Sequence, residues 1–174
     1  GAGGDAYEAI VYEGYGPGGV AIIVEVLTDN RNRSAAEVRN IFSKHGGSLA
    51  QPGAVAWMFE RRGSLVVDAT KYGEDDVMAA AIEAGADDVV QDGDQFEVLT
   101  QPADFAAVRD AIAAAGIEFE QAELTLVPKT TVKLDEGEAR KTMKIVEALE
   151  DSDDVQEVYA NFDIPEEILE ALAG

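Results

Sequence analysis

The chain has 174 residues, no cysteine, and 13 Lys and Arg against 35 Asp and Glu, for a formal net charge of −22. An apolar fraction of 47% can furnish a buried core in one or two domains, while the lack of thiols excludes a disulfide framework, a thiolate zinc site and a cysteine nucleophile. No apolar run approaches the ~20 residues of a membrane span, and Gly1 to Asp5 hold no basic and apolar signal segment, so a soluble cytoplasmic protein is expected.

The acid is unevenly spread. Residues 1–62 carry 6 basic and 7 acidic side chains, residues 63–128 carry 2 and 15, and residues 129–174 carry 5 and 13. Such a field repels a phosphate backbone over a Debye length of ~8 to 10 Å, so any nucleic-acid contact is expected locally, from the near-neutral first segment.

In chain order, Glu8 to Tyr12 reads as a short strand and Val20 to Leu27 as a nearly continuous apolar one, suited to burial on both faces. Between them lies Gly14-Tyr-Gly-Pro-Gly-Gly19. A phosphate-cradling loop needs a helix directly after it and a Lys followed by Ser or Thr; here a strand follows and the Lys is missing, so a glycine hairpin turn is expected. Ser34-Ala-Ala-Glu37 reads as a capping box opening a helix that ends at Gly46-Gly47. That helix places Val38, Ile41, Phe42 and His45 on one face and Arg39, Asn40, Ser43 and Lys44 on another. Arg31 and Arg33 precede it, and with Arg39 and Lys44 they are expected to form one exposed cationic strip. Ala54 to Glu60 alternates as a strand, with Val55, Trp57 and Phe59 facing a core.

From Gly63 the order is strand (Leu65–Asp68), helix (around Val77–Ile82, closed by Gly85), strand (Asp88–Gln91), strand (Gln95–Thr100, across Asp92-Gly93), helix (opened by Pro102), strand (Ile117–Val127). This βαββαβ order is the ferredoxin-like split βαβ unit. Its carboxylates fall at helix starts and turns with no calcium-loop spacing, so no metal site and no cofactor are expected. A strand at Thr130–Leu134, a helix capped by Asp135 and Glu138, an acidic turn at Glu150–Asp154, a strand at Val155–Phe162 and a short helix capped by Asp163 with Glu166 complete the chain. The fold class is α+β in two lobes: a discontinuous α+β domain of residues 1–62 and 129–174, and an inserted ferredoxin-like domain of residues 63–128.

A lone histidine without a nucleophile elbow gives no hydrolytic triad, and no enzyme activity is expected. Two binding readings remain from the residues alone, nucleic acid on the arginine strip or a small molecule in the ferredoxin-like lobe, the second by fold analogy.

YEGYGPGGVAIIVEVLTDNRNR at Tyr12 to Arg33, FSKHGG at Phe42 to Gly47 and VAWMFER at Val55 to Arg61 closely resemble the YebC/PmpR family, which includes the mitochondrial translational activator of cytochrome c oxidase subunit I, and the remainder fits the family's order more loosely through to NFDIPEE at Asn161 to Glu167. The resemblance covers essentially the whole chain. It implies a third, basic N-terminal helical domain that this sequence lacks, so the chain is expected to be a fragment starting in the linker. It also implies a regulator of gene expression: a transcriptional regulator binding DNA, or alternatively a translation factor acting on messenger RNA or on ribosomes stalled at proline-rich sequences. Arg31, Asn32, Arg33, Lys44 and His45 carry over from the family motif, and Arg39 joins them from the strip, as candidate nucleic-acid contacts. Binding to DNA, RNA or the ribosome is expected to need the absent basic domain.

Overall fold

The computed structural model describes residues 6–173, so Gly1 to Asp5, expected to lack a signal segment, lie outside it. The architecture is mixed α+β. Among the described residues no helix is long and apolar enough to cross a membrane. The chain divides into two compact units, one formed by the residues up to Phe59 with those from Pro128 onward, the other by Glu60–Val127.

In the first unit β1 (Glu8–Tyr15) pairs antiparallel with β2 (Ala21–Thr28). The connection is the expected glycine hairpin, and Gly18 and Gly19 take φ of 75° and 84°, where a Cβ would be strained. Helix α1 (Arg31–Lys44) follows, then β3 (Ser48–Ala50), a three-residue strand too short to announce itself in the sequence. Later in the chain come β8 (Val132–Lys133), α4 (Glu136–Glu150), β9 (Val155–Ala160), β10 (Phe162–Asp163) and α5 (Glu166–Ala173). The sheet order is β3-β1-β2-β9. The central place of β2 explains its unbroken apolar run: Val20, Ile22, Val24 and Val26 meet Val38 and Phe42 of α1 and Ala139, Ile145 and Leu149 of α4. Each such side chain contributes about 1.5–3 kcal/mol on burial.

Three local devices fix the ends of these elements. Asp135 accepts from the Glu138 N–H at 2.8 Å while Glu138 accepts from the Asp135 N–H at 3.1 Å, the expected capping box of α4. At the end of α1 the Gly47 N–H reaches back to the Phe42 carbonyl at 2.8 Å across Gly46 at φ 84°, a glycine-closed helix terminus. Asn161, 1% exposed, corrects the expected unbroken strand Val155–Phe162. Its Oδ1 accepts from Ala21 N at 2.7 Å and its carbonyl from Val132 N at 2.8 Å. The side chain thereby takes over a ladder position, and the chain leaves β9 to pair β10 with β8 in parallel. The cap expected of Glu166 lies outside the described side chains.

The second unit runs β4 (Phe59–Asp68), α2 (Glu74–Glu83), β5 (Asp88–Asp92), β6 (Gln95–Thr100), α3 (Phe105–Ala114) and β7 (Gln121–Pro128), with sheet order β5-β6-β4-β7. Leu65, Val67, Phe96 and Val98 of the sheet pack with Val77, Ala81, Val108 and Ile112 of the helices. The last strand begins four residues later than expected. Ile117 is buried and its N–H closes α3 on the Ile112 carbonyl, so it belongs to the helix end.

The first core is tight where α1 crosses the hairpin. A Cβ on Gly14 would lie 2.7 Å from Phe42 Cε1 and 2.7 Å from the Ser48 carbonyl oxygen, with Phe42 fully buried. Gly14→Ala should therefore cost about 1–3 kcal/mol by overpacking. Urea unfolding followed by the fluorescence of Trp57, the single tryptophan and a member of this unit, checks it as a lowered midpoint.

Candidate nucleic-acid interface

Helix α1 starts four residues before the position expected from Ser34. Its N-cap is Asn30, whose side chain accepts from Arg33 N at 3.1 Å, so Arg31, Asn32 and Arg33 form the first turn of the helix. Ser34 is released from capping because it serves a longer-range contact. Buried to 1% exposure, its hydroxyl lies 2.7 Å from Asp154 Oδ2 and 2.7 Å from Thr28 Oγ1. Arg33 joins the same cluster. One of its terminal nitrogens donates to Asp154 at 2.9 and 3.0 Å, to Asp29 at 3.1 Å and to Thr28 at 3.3 Å. The Asp154 carbonyl in turn accepts from Leu27 N at 2.9 Å. Asp154 thus clasps the end of β2, the start of α1 and the approach to β9. The Ser34 hydroxyl first, then Arg33, hold its carboxyl below the ordinary range against the opposing effect of burial. Asp154 and Asp29 raise Arg33 further above its usual value.

The expected single strip of cations is therefore divided. Arg31 pairs with Glu8 at 3.4 Å and Arg33 is committed to the clasp. Around Arg33 lies an acidic depression lined by Glu37, Asp151, Asp153 and Asp154. At ~100° per residue, Asn32 and Arg39 fall on one flank of α1 and Arg33, Glu37 and Lys44 on the opposite flank. Asn32, Arg39 and Lys44 are exposed, and among the described residues none of the three has an ion-pair partner. His45 is the half-buried C-cap, its backbone N–H donating to the Phe42 carbonyl.

What the sequence reading lacked is the contribution of α4. Helices α1 and α4 pack together, and the Lys141 Cδ comes 3.9 Å from the position a Cβ on Gly46 would take. Lys141 therefore stands beside the α1 terminus that carries Lys44 and His45, opposite the acidic depression, while Lys144 lies on the α4 face lined by Met143, Leu169 and Leu172. Lys141 and Lys144 are exposed and have no ion-pair partner among the described residues, whereas Arg140 pairs with Glu136 at 2.9 Å. Cations of α1 and α4 thus meet beside Gly46, with Asp135, Glu136 and Glu138 of the α4 start at the same end, and the acidic depression occupies the other end.

A second exposed feature corrects the expected core strand at Ala54–Glu60. Only Val55 and Phe59 of that stretch are buried. Trp57 is 65% exposed, on a single turn Ala56–Met58, with its indole N–H donating to the Ala54 carbonyl at 2.9 Å. The cause sits forty residues earlier. Glu13, 7% exposed, accepts from the backbone N–H groups of Gly53 at 2.6 Å, Val55 at 2.9 Å and Ala56 at 2.8 Å. Three N–H groups turned towards one carboxylate are unavailable to a strand ladder, so the segment folds as a clipped loop. Burial alone would push the Glu13 carboxyl up; the three backbone donors outweigh it and hold the group below its usual value.

The fold and this divided surface define a two-unit α+β chain with a ferredoxin-like second unit and cations gathered on one end of the first. The family model described as "TACO1/YebC second and third domain" matches residues 7–162, and the chain belongs to that family. It is 57% identical over 176 residues to a "Probable transcriptional regulatory protein" of Rubrobacter xylanophilus, covering 100% of this chain and 70% of the relative. A protein of the same description from Syntrophus aciditrophicus is 53% identical over 99% of this chain and 69% of its own length. Among solved structures, a conserved hypothetical protein of Aquifex aeolicus superposes with a TM-score of 0.84 at 45% identity, over 94% of this chain and 68% of that one.

Both lowered carboxyls contribute stability that is fully present above about pH 4, the ordinary unfolded value, and is lost as pH falls through their lowered folded values. Urea midpoints measured by Trp57 fluorescence across pH 2–6, an interval set by that ~4 midpoint, should show a steep acid limb that Glu13→Gln makes shallower. Ser34→Ala removes a buried hydroxyl from two partners and should cost about 1–3 kcal/mol in the same assay.

Proposed function

We propose that this chain regulates gene expression by contacting nucleic-acid phosphates through the cationic end of the α1–α4 pair. Lys44, His45 and Lys141 form the centre of the contact, with Asn32 and Arg39 on the outer flank of α1. The observation that carries this reading is the convergence of unpaired cations from two helices distant in sequence, on a chain whose other surfaces are strongly acidic. Phosphate contacts from Lys supply affinity and position without reading sequence, so base recognition is not required of this surface. Arg33 enters the reading as the residue that locks α1 in place, and Arg31 as a cation partly offset by Glu8.

The names of the relatives support a role in regulating transcription, for which we propose DNA as the target. A specific observation favours a second reading. A net charge of −22 beside a small cationic end suits docking into a mixed RNA and protein assembly such as the ribosome better than approach to bare duplex DNA.

Binding measured over a salt series with promoter-length duplex DNA, and with ribosomes by sedimentation, separates the two. For whichever target binds, Lys44→Glu with Lys141→Glu should weaken affinity at least tenfold and lower the salt slope by about two. Arg33→Ala should leave that slope unchanged while lowering the urea midpoint. A slope that falls with Arg33→Ala and ignores the lysine reversals would overturn the placement.

A further inference from the structure

Trp57 is a large apolar side chain left 65% exposed on a loop that the structure holds firmly. Disorder does not account for its display. Glu13 anchors the backbone on either side of Ala54 through three N–H groups, and Gly53 makes the turn at φ 91°. Its indole N–H is already satisfied by the Ala54 carbonyl at 2.9 Å, so the ring's polar edge is spent within its own loop. What remains for a partner is the π surface. An indole presented in this way recognises by stacking, which every base accepts, and little ordering entropy is left to lose when it does so.

The surroundings add charge of the right sign. Lys129, the second residue after the chain returns to the first unit, donates its backbone N–H to the Met58 carbonyl at 2.8 Å, placing its residue alongside the tryptophan turn. Lys129 is exposed and has no ion-pair partner among the described residues. Exposed Thr130 and Thr131 follow it. An aromatic face with a neighbouring unpaired cation is the combination by which proteins hold single-stranded nucleic acid, the ring taking a base and the cation its phosphate.

We propose that Trp57 is a stacking platform for an unpaired nucleobase, with Lys129 receiving the adjoining phosphate. The proposal rests on the nucleic-acid reading above and deepens it: the ligand class is single-stranded or looped-out nucleic acid, which a stacked duplex does not offer. It also gives the chain a second contact on a different part of the first unit.

The single tryptophan makes the test direct, since its emission reports this site alone. The protein is titrated at low salt with a short unstructured single-stranded RNA and, separately, with a duplex RNA of the same length. The single strand should quench Trp57 saturably and shield it from acrylamide, whereas the duplex should do neither. Trp57→Ala should weaken single-strand binding, followed by anisotropy of a labelled strand, by about tenfold or more, with Trp57→Phe recovering much of the loss. The exposed position predicts an unchanged circular dichroism spectrum and melting temperature for both variants, so the loss is not one of folding.

Single-strand binding that leaves the fluorescence unmoved and is unaffected by Trp57→Ala would overturn the platform. If Lys44→Glu with Lys141→Glu then abolishes that binding, the cationic end stands without it. Absence of binding to any nucleic acid at low salt, by the longer protein that carries the basic N-terminal domain the resemblance implies, would remove both readings together.

Discussion

Asp154 ties down one cation of the first unit, Arg33, and with it the start of α1. Its carboxylate takes the Ser34 hydroxyl and the Arg33 guanidinium, and its backbone carbonyl takes the Leu27 N–H, so segments up to 127 residues apart (Leu27 and Asp154) meet on this one residue. The pairing anchors the N-terminal end of α1 to the sheet and absorbs the charge of Arg33 there. Because α1 and α4 pack together, anchoring one end of α1 also sets where its other end lies, with Gly46 beside Lys141. The acidic depression lies where α1 begins, and Lys44 and Lys141 meet where it ends, beside the capping carboxylates of α4. A surface that is acidic on average thus gathers unpaired lysines from two helices at one place, which the sum of −22 conceals.

The same economy governs the tryptophan loop. A buried carboxylate is costly to desolvate unless it is fully hydrogen-bonded, and Glu13 meets that requirement with three backbone donors. Those donors come from a segment whose apolar alternation would otherwise suit a strand. The outcome is a rigid turn that turns Val55 and Phe59 inward and Trp57 outward. Asp154 and Glu13 are therefore equivalent in kind: each is an acid in an acidic protein that is used internally, to organise backbone and to present something else at the surface.

Much of this was legible where the determining contacts are local. The glycine hairpin before β2, the Asp135–Glu138 capping box and the βαββαβ order of the second unit all follow from residues a few positions apart. The failures share one cause. Asn30-x-x-Arg33 and Ser34-x-x-Glu37 are both plausible helix starts; the second has the better local pattern, and only Asp154, 120 residues away, reveals why Ser34 is needed elsewhere. The segment around Trp57 reads as a core strand until Glu13, forty residues upstream, claims its N–H groups. Lys141 looks like any exposed lysine of a helix until packing brings it to Gly46. Asn161 interrupts a pattern that is apolar on either side of it, and its partner Ala21 lies 140 residues earlier. Local periodicity carries no information about such partners.

The central claim is that nucleic acid meets the lysine end of α1–α4 and the tryptophan turn, and that the Arg33–Asp154 clasp stays intact beneath. Amide and side-chain resonances of the protein, recorded by NMR through a titration with single-stranded RNA, test this most directly. The account predicts shifts confined to Asn32, Arg39, Lys44–Gly47, Lys141, Lys129 and the Trp57 indole, with the Arg33 and Asp154 signals unmoved. Shifts centred on Arg33 and the residues of the acidic depression, or confined to the second unit, would contradict it.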